Sequence, residues 1–150
     1  MEELLRVVES LLFDIADHYR EKLNGVVIYI EDERTIYLLL LLKNVRKISL
    51  ANRGIIFNYF YNKLKKTYIF KNYLEKFRQS PKIYAIILEE EELSYNIPFV
   101  LYIILNGKIL FQKNNVVSNA IAKTSLHIIN YKGEYLLDFG KIRKGEVKEL

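Results

Sequence analysis

Few side chains in this sequence could do chemistry, and their spacing limits what that chemistry would be. The 150 residues contain two histidines, His18 and His127, and no cysteine. Thiol nucleophiles, disulfides and thiolate metal sites are therefore excluded, and a histidine-rich metal site lacks ligands. His18 falls on the polar side of an expected N-terminal helix, with Asp14 and Glu21 within helical reach. His127 stands among Leu126, Ile128 and Ile129, the setting of a half-buried strand histidine. Neither lies in a nucleophile motif. Beyond the N-terminal helix, paired carboxylates occur only in Glu31-Asp32-Glu33 and in the run Glu89–Glu92. Both read as solvated turns, where nothing lifts a carboxyl pKa into the range that acid catalysis uses. No GxGxxG or GxxxxGK[ST] loop is present. No cofactor and no metal are expected.

The one strong constellation is basic. Residues 43–82 hold eleven Lys and Arg against a single acid, Glu75, within a chain of net charge +5. Arg46, Lys47, Arg53, Lys63, Lys65, Lys66, Lys71, Lys76, Arg78 and Lys82 alternate there with Phe57, Tyr59, Phe60, Tyr61, Tyr68, Phe70, Tyr73 and Phe77. Cations neutralise phosphates, and exposed aromatic rings stack on unpaired bases. Lys63, Lys65, Lys66, Lys71, Arg78 and Lys82 are the candidate RNA contacts. The competing expectation is that these helices bury their rings and solvate their lysines.

The elements that must position these groups follow from the apolar pattern. Leu4, Val8, Leu11, Ile15 and Tyr19 make one helical stripe over residues 2–23, which Asn24-Gly25 is expected to end. VVIYI (26–30) predicts a strand, and TIYLLLLLK (35–43) a strand or a buried helical turn, since a continuous apolar run has no period. Ser49 is the expected N-cap of a helix from about Ala51. A further helix over 67–79 stops at Ser80-Pro81. KIYAIIL (82–88) predicts a strand, EEEELSYN an exposed loop, and PFVLYIIL (98–105) a strand buried on both faces. Asn106-Gly107 is a hairpin signal. A helix over roughly 113–123 and strands at 124–130 and 134–139 complete the chain. The fold class is α+β, with a small helix/strand lobe over 1–66 and a C-terminal lobe over 67–150 in which helices flank a mixed sheet. The longest apolar run is far short of the roughly 20 residues that cross a bilayer. The acid-rich N-terminus carries no cleavable apolar core. A cytoplasmic protein with no membrane partner is expected.

The order strand (PFVLYII), helix ending in AIAK, strand (LHIIN), tight turn, strand (EYLLDF) resembles the C-terminal half of the archaeal tRNA-splicing endonuclease family. ISLANRGIIFNYF and YIFKNYLEKFRQ resemble two earlier helices of that family, so the likeness spans about residues 48–139. Lys123 matches the family's catalytic lysine in place and context. The family's other two catalytic groups are missing: Pro98 stands where the family has His, and strand 82–88 ends in Ile-Leu-Glu where the family has Tyr. One lysine cannot shuttle both protons of phosphodiester cleavage. The resemblance therefore implies a non-catalytic structural subunit of a heterotetramer. It would pair with a catalytic endonuclease subunit and bind precursor tRNA. Tyr135, Leu136 and Leu137 would form the pairing strand, and Glu134 would be the acid of an inserted plug. The alternative is a stand-alone nucleic-acid-binding module using segment 43–82. A third reading is a nuclease with Lys123, His127 and a tyrosine in a rearranged site.

Overall fold

The computed structural model describes residues 1–124, 128–131 and 134–137. Helix α1 (Glu2–Tyr19) leads through one 3-10 turn into strand β1 (Leu23–Ile30), which turns back into β2 (Thr35–Leu42). Two helices follow, α2 (Leu50–Leu64) and α3 (Tyr68–Phe77), and then β3 (Lys82–Leu88). A 3-10 segment (Glu90–Tyr95), α4 (Pro98–Asn106), β4 (Lys108–Gln112), α5 (Val116–Thr124), β5 (Ile128–Tyr131) and β6 (Glu134–Leu137) complete it. The fold is α+β.

The sheet runs β3-β2-β1-β4. β1 pairs antiparallel with β2 and β4, and β2 pairs parallel with β3. Its strands come from both sides of residue 66, so segments 1–66 and 67–150 share one sheet. One face is covered by α1, α2 and α3, which bury Leu4, Leu11, Phe57, Phe60 and Phe70 against Ile28, Leu38, Leu40 and Ile83. The other is covered by α4 and α5, which bury Val100, Ile103 and Val117 against Val27, Leu39 and Leu88. Burial on both faces explains the unbroken apolar runs of β1 and β2. It also settles 35–43 as a strand.

Several expectations hold. Ser49 Oγ accepts from the Asn52 amide at 3.2 Å and caps α2. β3 occupies 82–88 as read from sequence. Others are corrected. Residues 98–106 are a helix, not a strand, with Pro98 in its first turn, where the fixed φ fits and no amide is missed. Asn106-Gly107 is accordingly the junction of α4 and β4, not a hairpin turn. A Cβ on Gly107 would stand 2.5 Å from the Ile103 carbonyl oxygen and 2.7 Å from that of Ile28, so only glycine lets helix and strand meet there. Asn24-Gly25 does not end α1. The helix stops at Tyr19, Arg20 takes φ 49°, and Asn24 and Gly25 lie inside β1, where the pairing with β2 shifts register. α3 ends at Arg78, in the left-handed region with φ 60°, before Ser80-Pro81 is reached. His127, the tight turn at 132–133 and the expected strand end at 138–139 lie outside the described residues.

Candidate nucleic-acid interface

The structure divides the basic segment into cations that are spent inside the molecule and cations that are not. Arg53 is 4% exposed and donates from Nη1 and Nη2 to the Glu92 carboxylate at 2.8 and 3.0 Å. It also donates to the Ile48 and Ile87 carbonyls, at 2.9 and 3.0 Å, which ties the start of α2 to the end of β3. Glu92 is 7% exposed and accepts the Glu89 amide at 2.8 Å, closing a reciprocal cap at the head of the 3-10 segment. The run Glu89–Glu92 is thus not a solvated turn, and Arg53 is not a surface cation.

Arg46 donates to Glu89 at 3.3 Å, Lys63 to Asp14 at 3.3 Å, and Lys76 to Glu3. The acids of α1 therefore offset part of the charge of α2 and α3. Glu89 also accepts the Arg46 and Val45 amides, and these bonds, led by that of Arg46, hold its carboxyl below the ordinary carboxylate range.

Lys65, Lys66, Lys71, Arg78 and Lys82 are exposed and form no ion pair among the described residues. Lys65 Nζ stands 5.4 Å from the centre of the Tyr61 ring. The aromatic rings divide in the same way. Phe57, Phe60, Phe70 and Tyr73 are core residues, whereas Tyr59 and Tyr68 are 50% and 79% exposed. The burial expectation is right for the first four and wrong for those two. Of the six candidate RNA contacts, Lys63 is paired with Asp14, and the other five remain on the surface that α2, α3 and the start of β3 present.

A feature the sequence reading missed lies at the open edge of β3. Tyr29, Tyr37 and Tyr84 are register partners across β1, β2 and β3. Their rings form a row: Tyr29 to Tyr37 at 6.4 Å and 26°, Tyr37 to Tyr84 at 5.3 Å and 25°. Phe99 and Tyr102 of α4 meet the row edge-on, and the Tyr29 and Tyr102 hydroxyls are hydrogen-bonded at 3.3 Å. Desolvation raises the Tyr37 pKa, with Glu31 and the neighbouring tyrosines adding to it. A groove of about 440 Å³ runs between α2 and this edge, lined among others by Gly54, Asn58, Tyr61, Lys82 and Tyr84. Burial raises the Tyr61 pKa, and its hydroxyl donates to the Pro81 carbonyl at 3.3 Å. The Tyr29–Tyr37 half of the row could have been read from the hairpin around EDER. The Tyr84 partnership is parallel and long-range and leaves no local trace.

The remaining candidate residues lie elsewhere. Lys123, in the last turn of α5, is exposed and borders a depression of about 370 Å³ whose lining includes Glu90, Glu91, Ser94 and Asn96. No histidine or tyrosine is among the described residues lining it. Glu134, Tyr135, Leu136 and Leu137 form β6, which pairs with β5 of the same chain. Among the described residues no group of three or more His, Cys, Asp and Glu could hold a metal ion, and no helix is long and apolar enough to cross a membrane. Compared with protein-family models, curated proteins and solved structures, the chain matches none.

Proposed function

We propose that this chain is a non-catalytic, cytoplasmic nucleic-acid-binding protein that engages phosphates with the surface of α2, α3 and the start of β3. One observation carries the reading. After the ion pairs among the described residues are counted, Lys65, Lys66, Lys71, Arg78 and Lys82 still stand exposed on a stretch whose single acid is Glu75. A cationic surface of this kind meets a polyanion, and the exposed Tyr59 and Tyr68 beside it suit unpaired bases.

The test is the salt dependence of binding to oligo(U) and oligo(dT). Binding should weaken log-linearly with salt, each phosphate contact adding about 0.7 to the slope for a single strand. Charge reversal of Lys65, Lys66 and Lys71 to Glu should flatten the slope by about 2. Phe13→Ser, at the opposite edge of the sheet beside β4, should leave it unchanged. A chain that binds neither oligonucleotide at low salt has no such function.

A second reading is the structural subunit of a heterotetrameric tRNA-splicing endonuclease that acts on precursor tRNA. What favours it is the order α5, ending beside Lys123, then the antiparallel pair β5 and β6. Against it stands α4, a helix where that arrangement has a strand. Co-expression with a catalytic endonuclease subunit tests it: stable co-purification and cleavage of precursor tRNA by the pair alone support it. A chain that stays apart from its partner overturns it.

A further inference from the structure

The row of tyrosines stops where the sheet stops. Each ring of Tyr29 and Tyr37 has a neighbour on the next strand, but β3 is an edge strand, so Tyr84 has a ring on one side only. It is 49% exposed. The groove beside it is open at Gly54, where a Cβ would have no heavy atom within 4 Å. Lys82 lies two residues before Tyr84, on the same face of β3, and Lys65 covers the Tyr61 ring on the groove's other wall. The acids near this edge are Glu31 and Asp32 of the β1–β2 turn: Asp32 accepts the Arg34 amide at 2.8 Å and stays ionised, with Lys82 drawing on its charge.

We infer that the β3 edge is the base-binding subsite of this surface: an unpaired base stacks on the outer face of Tyr84 as the fourth ring of the row, with a flanking phosphate on Lys82. This rests on the nucleic-acid reading above and adds to it the substrate class, a single strand. A duplex keeps its bases in its own stack and offers the groove nothing but phosphate. The size of the groove is in the range of about 300–1,000 Å³ usual for small-ligand sites, ample for one base.

The experiment uses the full chain with oligonucleotides, RNA and DNA in separate arms, carrying one 2-aminopurine. Each is offered as a single strand and as a perfectly paired duplex. Stacking on Tyr84 should quench the fluorescent base in the single strand. Tyr84→Ala should remove the quench and lower single-strand affinity about five- to a hundredfold, leaving duplex affinity and salt slope unchanged. Tyr84→Trp should restore both quench and affinity. Gly54→Trp fills the groove from the helix side and should act like Tyr84→Ala, while Gly54→Ala should bind as the parent does. Equal affinity for single strand and duplex, with Tyr84→Ala silent, overturns the subsite and leaves the cationic surface standing. Absence of binding to every oligonucleotide overturns the surface and the subsite together.

Discussion

Along β3 the sheet ends in Lys82 and Tyr84, with Tyr61 and Asn58 across a partly polar groove. Along β4 it ends in Leu110 and Phe111, with Leu5 and Phe13 of α1 across a groove of about 770 Å³. Glu9, Arg20 and Lys108 are the charged groups of that second groove. The two edges differ because the helix layer is asymmetric. α1, α2 and α3 bury residues of β1, β2 and β3, and no residue of β4 enters that core. Among the described residues, an uncovered apolar face and an uncovered cationic edge thus sit at opposite ends of one sheet. Apolar exposure is what the fold leaves uncovered, whereas the charge at β3 persists after the internal acids have taken their share.

The strongest way to break the β3 side without touching its surface cations is through the buried pair beneath it. Glu92→Ala leaves the Arg53 guanidinium buried and unpaired, and should destabilise the fold by about 3–5 kcal/mol in urea denaturation. Replacing both partners, Arg53→Met with Glu92→Leu, should recover only part of this. The Ile48 and Ile87 carbonyls and the Glu89 amide lose their partners too. A Glu92→Ala chain as stable as the parent would show that the pair does not hold α2 to β3.

The two edges can also be compared through their glycines. Gly107→Ala pushes a methyl against two backbone oxygens, neither of which can swing aside, and should cost about 1–3 kcal/mol. Gly54→Ala, in an exposed helix position with open space around it, should stabilise by about 0.5–1 kcal/mol. Thermal unfolding of the two variants therefore gives shifts of opposite sign. The same sign for both would mean that the junction of α4 and β4, or the openness beside α2, is not as described.

Legibility from sequence followed the range of the interaction that fixes each element. β3, the cap at Ser49 and the amphipathic α1 depend on neighbours within a few residues, and they were readable. The nine residues from Pro98 to Asn106 were not, because a run apolar at nearly every position has no period to separate helix from strand. Pro98 was the available cue, since proline suits a first helical turn and is excluded from a central strand. Asn24-Gly25 carried a turn signal that pairing with β2 and β4 overrode. Arg53 and Glu92 are separated by 39 residues, so nothing local distinguished them from surface charges. The candidate site was half visible. Its cations were in plain view, but which of them are neutralised, and which tyrosine closes the row, depends on parallel pairing that composition does not encode.

The smallest expected effect concerns the acid that fastens the loop after β2 to the segment after β3. Glu89 accepts the Val45 amide at 2.9 Å and the Arg46 amide at 3.2 Å, and its carboxyl is held below the ordinary value. A carboxyl with a folded pKa below its unfolded value stabilises the fold above the unfolded pKa, about 4.3 for Glu. That stabilisation is lost as pH falls through the lower, folded value. The unfolding midpoint should thus hold from neutral pH down to about 4.3 and decline below it. Asp32 and Glu3 are depressed as well, by the Arg34 amide and by Lys76, so the decline has three sources among the described residues. Glu89→Gln separates them, because an amide oxygen still accepts the two backbone bonds but no longer titrates. The variant should start from a slightly lower midpoint at neutral pH and fall less on acidification. If it falls as steeply as the parent, the acid sensitivity belongs to the β1–β2 turn and α1, and the link between the loop and the β3 side is not where the fold feels the proton.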